Sequence, residues 1–529
     1  MIILYFKTLI FFLFSILYFF STVGFGKILV KNSSFQKLTF NFFELFIYGL
    51  IVQIVFGFLF YISFGTNEFI NLFILILGLF LYYFYKKNLN KINFKYIFAL
   101  LVSIFSVVLI SKTGEDFVGY HLFSINEIFN NQLRIGVNNL NDRFFHSSLL
   151  IYNQSLLVLP ILKFQLIHLP KFFIYYSVLG YFIHIFLTTG KDNERFFSLF
   201  VCMLLLIKFN RLSAFGYDYI SQFLLIIVFH KIYFYQTNRE ELIKAFKIFI
   251  FTVLIKPISL LFSPILIYLL YKNKIQFLFN IFYTKKLFFI LLIFILFSSS
   301  FLRTGCIFYP INNTCFSEEK IFWSEKKLVK EQSEFVKLWA KNYYYLGTSK
   351  YEKIHDKHVF KQNFNWFKYW IEGHFFYKIS EFLLILIAII LIIHIYHTRE
   401  KPSFKKSSYE NHLIFILSAI SIFFWILTVP QFRFGFASIV VFIYLLFNYF
   451  MKLEIILDKK KFLILIMFSL MILNIKNFNR IKKEFERDDI YKFINFPFYN
   501  QFKIYNKAYA DINENGFTKD SFFHIEIIK

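Results

Sequence analysis

Apolar runs of bilayer-crossing length recur along the whole chain, near residues 1–25, 41–64, 67–85 and 95–111 at the start and near 286–301, 410–428 and 435–451 later. Hydrocarbon offers the backbone no water, so such a run must close its own hydrogen bonds, and a helix of about 20 residues does so across about 30 Å. Only 17% of the 529 residues are charged and 58% are hydrophobic, whereas a soluble domain carries about 25% charged residues. These features predict an all-α polytopic membrane protein with about 11–14 transmembrane or re-entrant helices. The 84 phenylalanines carry no separate message. Together with abundant Ile, Lys and Asn they fit an AT-rich genome.

The formal charge of +26 is spread as short lysine clusters between apolar runs. In that setting the excess reads as an orientation signal toward anionic headgroups, not as a nucleic-acid footprint. Of the three cysteines, Cys306 and Cys315 are close enough in sequence to pair in an oxidising compartment, and Cys202 stands apart. The first apolar run contains only Lys7 and lacks a small-residue cleavage site, so it reads as a retained span.

Counting cations assigns sides. Lys27, Lys31 and Lys37 follow the first run, "KKNLNKINFK" follows the third, and the turn at 65–68 has no cation. Alternation then puts a loop at about 112–146 outside, where acids and bases nearly balance. Making both 147–167 and 171–189 full crossings would put the basic "NREELIKAFK" outside, so one of the two is expected to be re-entrant or short. By the same logic 248–271 reads as a broken hairpin with Lys256 and Pro257 at an outer tip, because Pro disfavours helix at the residue before it. A long polar insert at about 302–375 is also expected outside. The membrane domain is read as 1–474, and 475–529 as a polar tail kept outside, although "KNFNRIKKEFER" is basic.

Ionisable residues near a bilayer are functional candidates because their placement is costly unless they pair or face water. Four groups fall on the outer side. In "SKTGEDFVGYH", Glu115 and Asp116 can hold a divalent cation, act as a general base, or form a solvated pair at a helix end, with Tyr120 and His121 following. In "NNLNDRFFHSS", Arg143 can contact a phosphate or pair with Asp142. Asp218 begins a span in "RLSAFGYDYISQ", and Lys256 sits between apolar residues in "VLIKPISLL", where it either serves a site or snorkels. Arg433 in "VPQFRFGFAS" is a cation at an outer turn. P-loop, HExxH, GxSxG and paired CxxC patterns are absent from the sequence.

In that order these pieces resemble the GT-C superfamily of integral-membrane glycosyltransferases, in particular a poorly characterised bacterial branch. The stretch "EDFVGYHLFSINEIFNNQLRIGVNNLNDRFFHSS" looks like its acidic first external loop. "SAFGYDY" and "IKPIS" are similar to its Ser/Asp and Lys elements, "TGCIFYP" with Gly305, Tyr309 and Pro310 to its Gly-x-x-x-Tyr-Pro loop, and "QFRFGF" to its late Arg-Phe turn. The resemblance covers roughly 100–435 and rests on the order of five short elements. "IKPIS" departs from the pattern by inserting Pro257.

The resemblance implies a GT-C-like fold in the bacterial cytoplasmic membrane. It also implies transfer of a sugar from a polyprenyl-phosphate donor to a lipid, glycan or protein acceptor at the outer face. Asp116 and Glu115 would be catalytic or hold Mg or Mn. Tyr120, His121, Arg143, Asp218, Lys256, Tyr309 and Arg433 would bind substrate. Trp323, Trp339, Trp366 and Trp370 in the insert suit carbohydrate or an interfacial anchor. Two other classes share part of this pattern. An O-antigen polymerase or ligase has a long late external loop and outer arginines without needing the Glu115-Asp116 pair. A flippase or transporter of lipid-linked sugars places its charges in a cavity open alternately to both sides.

Overall fold

The computed structural model describes residues 2–31, 41–85, 94–109, 120–140, 144, 148–209, 216–273, 286–397, 409–451, 459–487, 519–522 and 525–528. Nearly all are helical. Among the described residues, six helices are long and apolar enough to cross a membrane: Phe6–Ile28, Phe42–Ser63, Phe164–Thr188, Phe367–Ile395, Phe432–Tyr449 and Lys459–Lys483. Shorter apolar helices lie at Glu68–Phe84, Lys95–Val107, Pro257–Tyr268, Ile290–Thr304 and His412–Thr428. The chain is therefore an all-α protein of membrane type, and among the described residues the strands form one small ladder.

The first helices are α1 (Ile2–Lys31), α2 (Phe42–Ser63), α3 (Glu68–Phe84) and α4 (Phe94–Ile104). α1 and α2 run antiparallel in close contact, since a Cβ built on Gly49 would lie 1.8 Å from the Thr22 carbonyl oxygen. Apolar tails give helices no hydrophobic reason to associate, so close backbone approach at small residues supplies the packing. Lys27 donates to the Tyr82 carbonyl at 3.1 Å, tying the far end of α3 to the far end of α1. Two ends of the bundle are thus defined. The opposite end holds residues 27 and 82–85, and the site end holds 63–68.

After α5 (Leu122–Asn130) at the site end, α6 (Leu150–Ser155) dips between α1 and α2. Asn153 accepts from the Tyr18 hydroxyl at 2.9 Å and donates to Gln53 at 2.8 Å. Asn71 donates to the Ser155 and Val158 carbonyls. The chain then turns at Leu159–Lys163 and returns to the end it came from, where Lys163 pairs with Glu68. The cation count allows only one of 147–167 and 171–189 to be a full crossing, and this short in-and-out segment is the first of the two. Side chains satisfy its irregular backbone, which is what membrane depth requires.

α7 (Leu169–Thr188), α8 (Asp192–Lys208), α9 (Asp218–Phe234) and α10 (Arg239–Ile255) follow as antiparallel neighbours. α10 breaks at Lys256 into a 3-10 turn, Pro257–Phe262, before α11 (Ser263–Asn273), so the tip of this hairpin lies at the site end. At the opposite end Lys231 is buried between Glu44 and Glu241, and Glu241 also pairs with Lys244. The lysines that read as a loose inner-face signal are in part an internal ion-pair network.

The helix Lys286–Thr304 leads into the insert, where Cys306 and Cys315 are disulfide-bonded and Tyr309-Pro310 is cis. The last apolar run is part of one helix, Lys459–Arg487, well beyond 474. Arg480 donates to the Ser106 and Leu109 carbonyls and Asn474 to that of Ser103, so this helix runs parallel to the end of α4 and finishes at the site end. There β1 (Arg134–Ile135) pairs in parallel with β3 (Ile525–Ile528), which pairs antiparallel with β2 (Lys519–Phe522). The chain's last strand shares an end with the 120–140 segment.

Candidate functional site

The hairpin of α9 and α10 sets the centre of the site. The two helices are each 17 residues long and antiparallel, so the first residue of one lies beside the residue after the last of the other. These are Asp218 and Lys256. A carboxylate at a helix N-terminus and a cation at a C-terminus each complement the dipole. Asp218 Oδ1 lies 3.4 Å from Lys256 Nζ, and its Oδ2 lies 3.2 Å from Arg433 Nε. Three residues far apart in sequence therefore meet on one buried carboxylate.

Arg433 reaches that point from the first turn of the helix Phe432–Met451. Gln222 of α9 accepts from the Ala437 amide at 3.0 Å and locks the two helices together. The preceding turn is pinned from three sides. Trp370 donates to the Pro430 carbonyl, Trp425 to that of Gln431, and the Gln431 amide meets the His374 ring at 2.8 Å. The guanidinium carbon also lies 4.9 Å above the Trp339 ring, so the insert touches the site through this residue. Lys341, next along the insert, covers the Trp366 ring at 4.6 Å.

Around Asp218 stands a second ring of polar groups that sequence reading missed. Tyr217 donates its hydroxyl to Gln154 of the re-entrant α6 at 2.5 Å, and Gln154 donates to the Ile167 carbonyl. The Lys171 ammonium lies 4.5 Å from the face of the Tyr217 ring, and His121 meets the edge of that ring at 4.8 Å. Gly216, just before, has φ +61°, and a Cβ there would sit 3.2 Å from His121 Nε2. Glycine thus permits both the turn and the approach. Arg303, buried in the last turn of Lys286–Thr304, donates to Asn138 at 3.3 Å. It lines a pocket with Ser299, Thr304, Tyr309 and Pro257, next to Lys256.

Of the residues singled out from sequence, Asp218, Lys256 and Arg433 are in direct contact. His121 reaches them through Tyr217, and Tyr120 packs on His121 with ring centroids 4.1 Å apart. Tyr309 lines the adjoining pocket. Glu115, Asp116 and Arg143 lie outside the described residues. Lys171 and Arg303 escaped notice because each borders an apolar run and resembles an ordinary interfacial cation. The available signal was position: Lys171 follows Pro170 in the first turn of a helix, where a cation opposes the dipole.

Glu115 and Asp116, the residues read as metal ligands, lie outside the described residues. No group of three or more His, Cys, Asp or Glu is gathered among them, and Asp218 already answers two cations. What they can do is hold an anion. Lys256 and Arg433 meet on Asp218, Lys171 lies against the adjoining Tyr217 ring, and Arg303 lines the pocket beside Pro257, all at one end of an apolar bundle, where charge interactions are weakly screened.

No curated protein and no solved structure matches the chain. A family model does, over residues 9–440, a span that runs from α1 past Arg433 and holds every residue of this site. The match covers most of the sequence, and the chain belongs to the family described as a domain of unknown function, DUF8201.

Proposed function

We propose that the chain is a GT-C-like membrane glycosyltransferase of the bacterial cytoplasmic membrane, moving a sugar from a polyprenyl-phosphate donor to a lipid, glycan or protein acceptor at the outer face. The observation that carries this reading is the convergence of Lys256 and Arg433 on Asp218 at the end of a membrane-type bundle. In the reaction the acceptor oxygen bonds to the anomeric carbon while the bond from that carbon to the carrier phosphate oxygen breaks. The acceptor proton passes to Asp116, assisted by Glu115, and the carrier leaves as a phosphate anion. Cations fixed before the reaction stabilise that developing charge without reorganising. Asp218 is the positioning group in this scheme, keeping Lys256 and Arg433 oriented toward the leaving group. A guanidinium carries donors on two further nitrogens beyond the Nε that faces Asp218.

The Cys306–Cys315 bond supports an oxidising compartment at the site end, as the outer face requires. The charged network at the opposite end is paired internally through Glu44, Lys231 and Glu241. That favours a one-sided enzyme over a transporter open alternately to both sides.

The test is transfer by the purified chain from a panel of polyprenyl-phosphate sugars. Asp116→Asn should insert normally and give no product. Wild-type yield from that variant removes the catalytic assignment.

A further inference from the structure

Most buried or half-buried cations at the site end have an acceptor. Lys256 and Arg433 share Asp218, Arg303 donates to Asn138, and Arg134 pairs with Glu127. Lys171 differs. It is 1% exposed, and among the described residues its ammonium has the face of Tyr217 as its contact, with no carboxylate at ion-pair distance. Two charges act on it, Asp218 by attraction and Lys256 by repulsion. It also stands in the first turn of the 20-residue α7, at the positive end of the dipole.

A buried ammonium, a like-charged neighbour and a helix N-terminus all disfavour the same cation, and one bound anion reverses all three. The anion must offer several acceptor oxygens, because it answers the Lys171 ammonium and its like-charged neighbour Lys256 together, beside a Tyr217 whose hydroxyl is held by Gln154. A phosphate does. The donor of the proposed function supplies one carried by a lipid.

We propose that Lys171 is the principal ligand of an interior phosphate site, holding the phosphate of a lipid carrier between its own ammonium and Lys256. The assignment rests on the carrier-linked donor of the proposed function, but it concerns binding and does not require transfer. Tyr217 and Gln154 position the site: the ring carries the ammonium on its face while its hydroxyl is held by the re-entrant α6.

The experiment measures binding of polyprenyl phosphate, without sugar, to the full chain in nanodiscs of neutral lipid. Lys171→Met should weaken binding about tenfold or more while the Tm without ligand stays level or rises, because a methionine fits that apolar setting better than an unpaired ammonium. Lys171→Arg should retain most of the affinity, and millimolar inorganic phosphate should not displace the lipid. Wild-type affinity in Lys171→Met overturns the assignment. So does failure of that variant to fold, which would mark the ammonium as structural. Full displacement by inorganic phosphate overturns the lipid source. If the carrier binds through Lys171 and no sugar is ever transferred, the enzyme reading fails and this one stands. If transfer proceeds unchanged in Lys171→Met, the reverse holds.

Discussion

One carboxylate holds the cations of the site together. Asp218 is almost wholly buried and meets two cations, with a third nearby, so its removal leaves uncompensated positive charge. Breaking a buried pair from one side costs about 3–5 kcal/mol, and the partial exposure of Lys256 and Arg433 puts this case at the lower end. Asp218→Asn should therefore lower the Tm in detergent clearly, and adding Arg433→Gln should recover part of the loss. If the double variant is no more stable than the single one, the two side chains are not coupled as the geometry requires. The Tyr217 hydroxyl is the next test. Tyr217→Phe leaves Gln154 without its donor, at a cost of about 1–3 kcal/mol for an unsatisfied buried group, and should reduce carrier binding while keeping the ring beneath Lys171.

The insert makes separate predictions at the scale of elements. Its Cys306–Cys315 bond closes a short loop directly after the helix that carries Arg303. Loop-closure entropy assigns such a bond about 2–3 kcal/mol. Reduction or Cys306→Ser should speed proteolysis of the 305–370 segment and leave the helical bundle intact by circular dichroism. Lys341 is half-buried over Trp366, and burial first, then the charges of Lys337 and Lys361, lower its pKa. The folded insert therefore releases this proton before the unfolded chain does. Its contribution to stability rises as pH climbs from that lowered value toward the usual 10.5, where the unfolded chain also loses its proton. Melting curves between pH 7 and 10 should show this rise in wild type and a flatter profile in Lys341→Met. Identical profiles would remove the burial argument.

Across the whole molecule, the sequence carried the fold class and the ends of the bundle more clearly than the site. Continuous apolar runs are unambiguous because hydrocarbon leaves the backbone so few options. Cation counts showed that one of 147–167 and 171–189 is not a full crossing, because two crossings would have reversed the charge pattern of everything after them, but they did not say which. Asp218, Lys256 and Arg433 stood out singly as polar residues in apolar company, yet their meeting on one carboxylate depends on matched helix lengths and on the anchoring of Ala437 by Gln222. Such distances leave no trace in local composition. Lys171 was invisible for the same reason: a lysine at the edge of a span reads as snorkelling until the ring beneath it and its like-charged neighbour are seen. The shared end of the 120–140 segment, the insert and the last strand makes a topological prediction. A cysteine at Lys330→Cys should react with an impermeant reagent in intact cells, and one at Asn238→Cys should be protected; the opposite pattern inverts the orientation.

The central claim, that this site moves a sugar from a carrier phosphate, is tested most directly by mass spectrometry of the polyprenyl-phosphate sugars and glycans of a deletion strain. One charged carrier should accumulate and one glycan should be truncated, and the wild-type chain should restore both while Asp116→Asn restores neither. Carrier and glycan pools that are unchanged on deletion would contradict it.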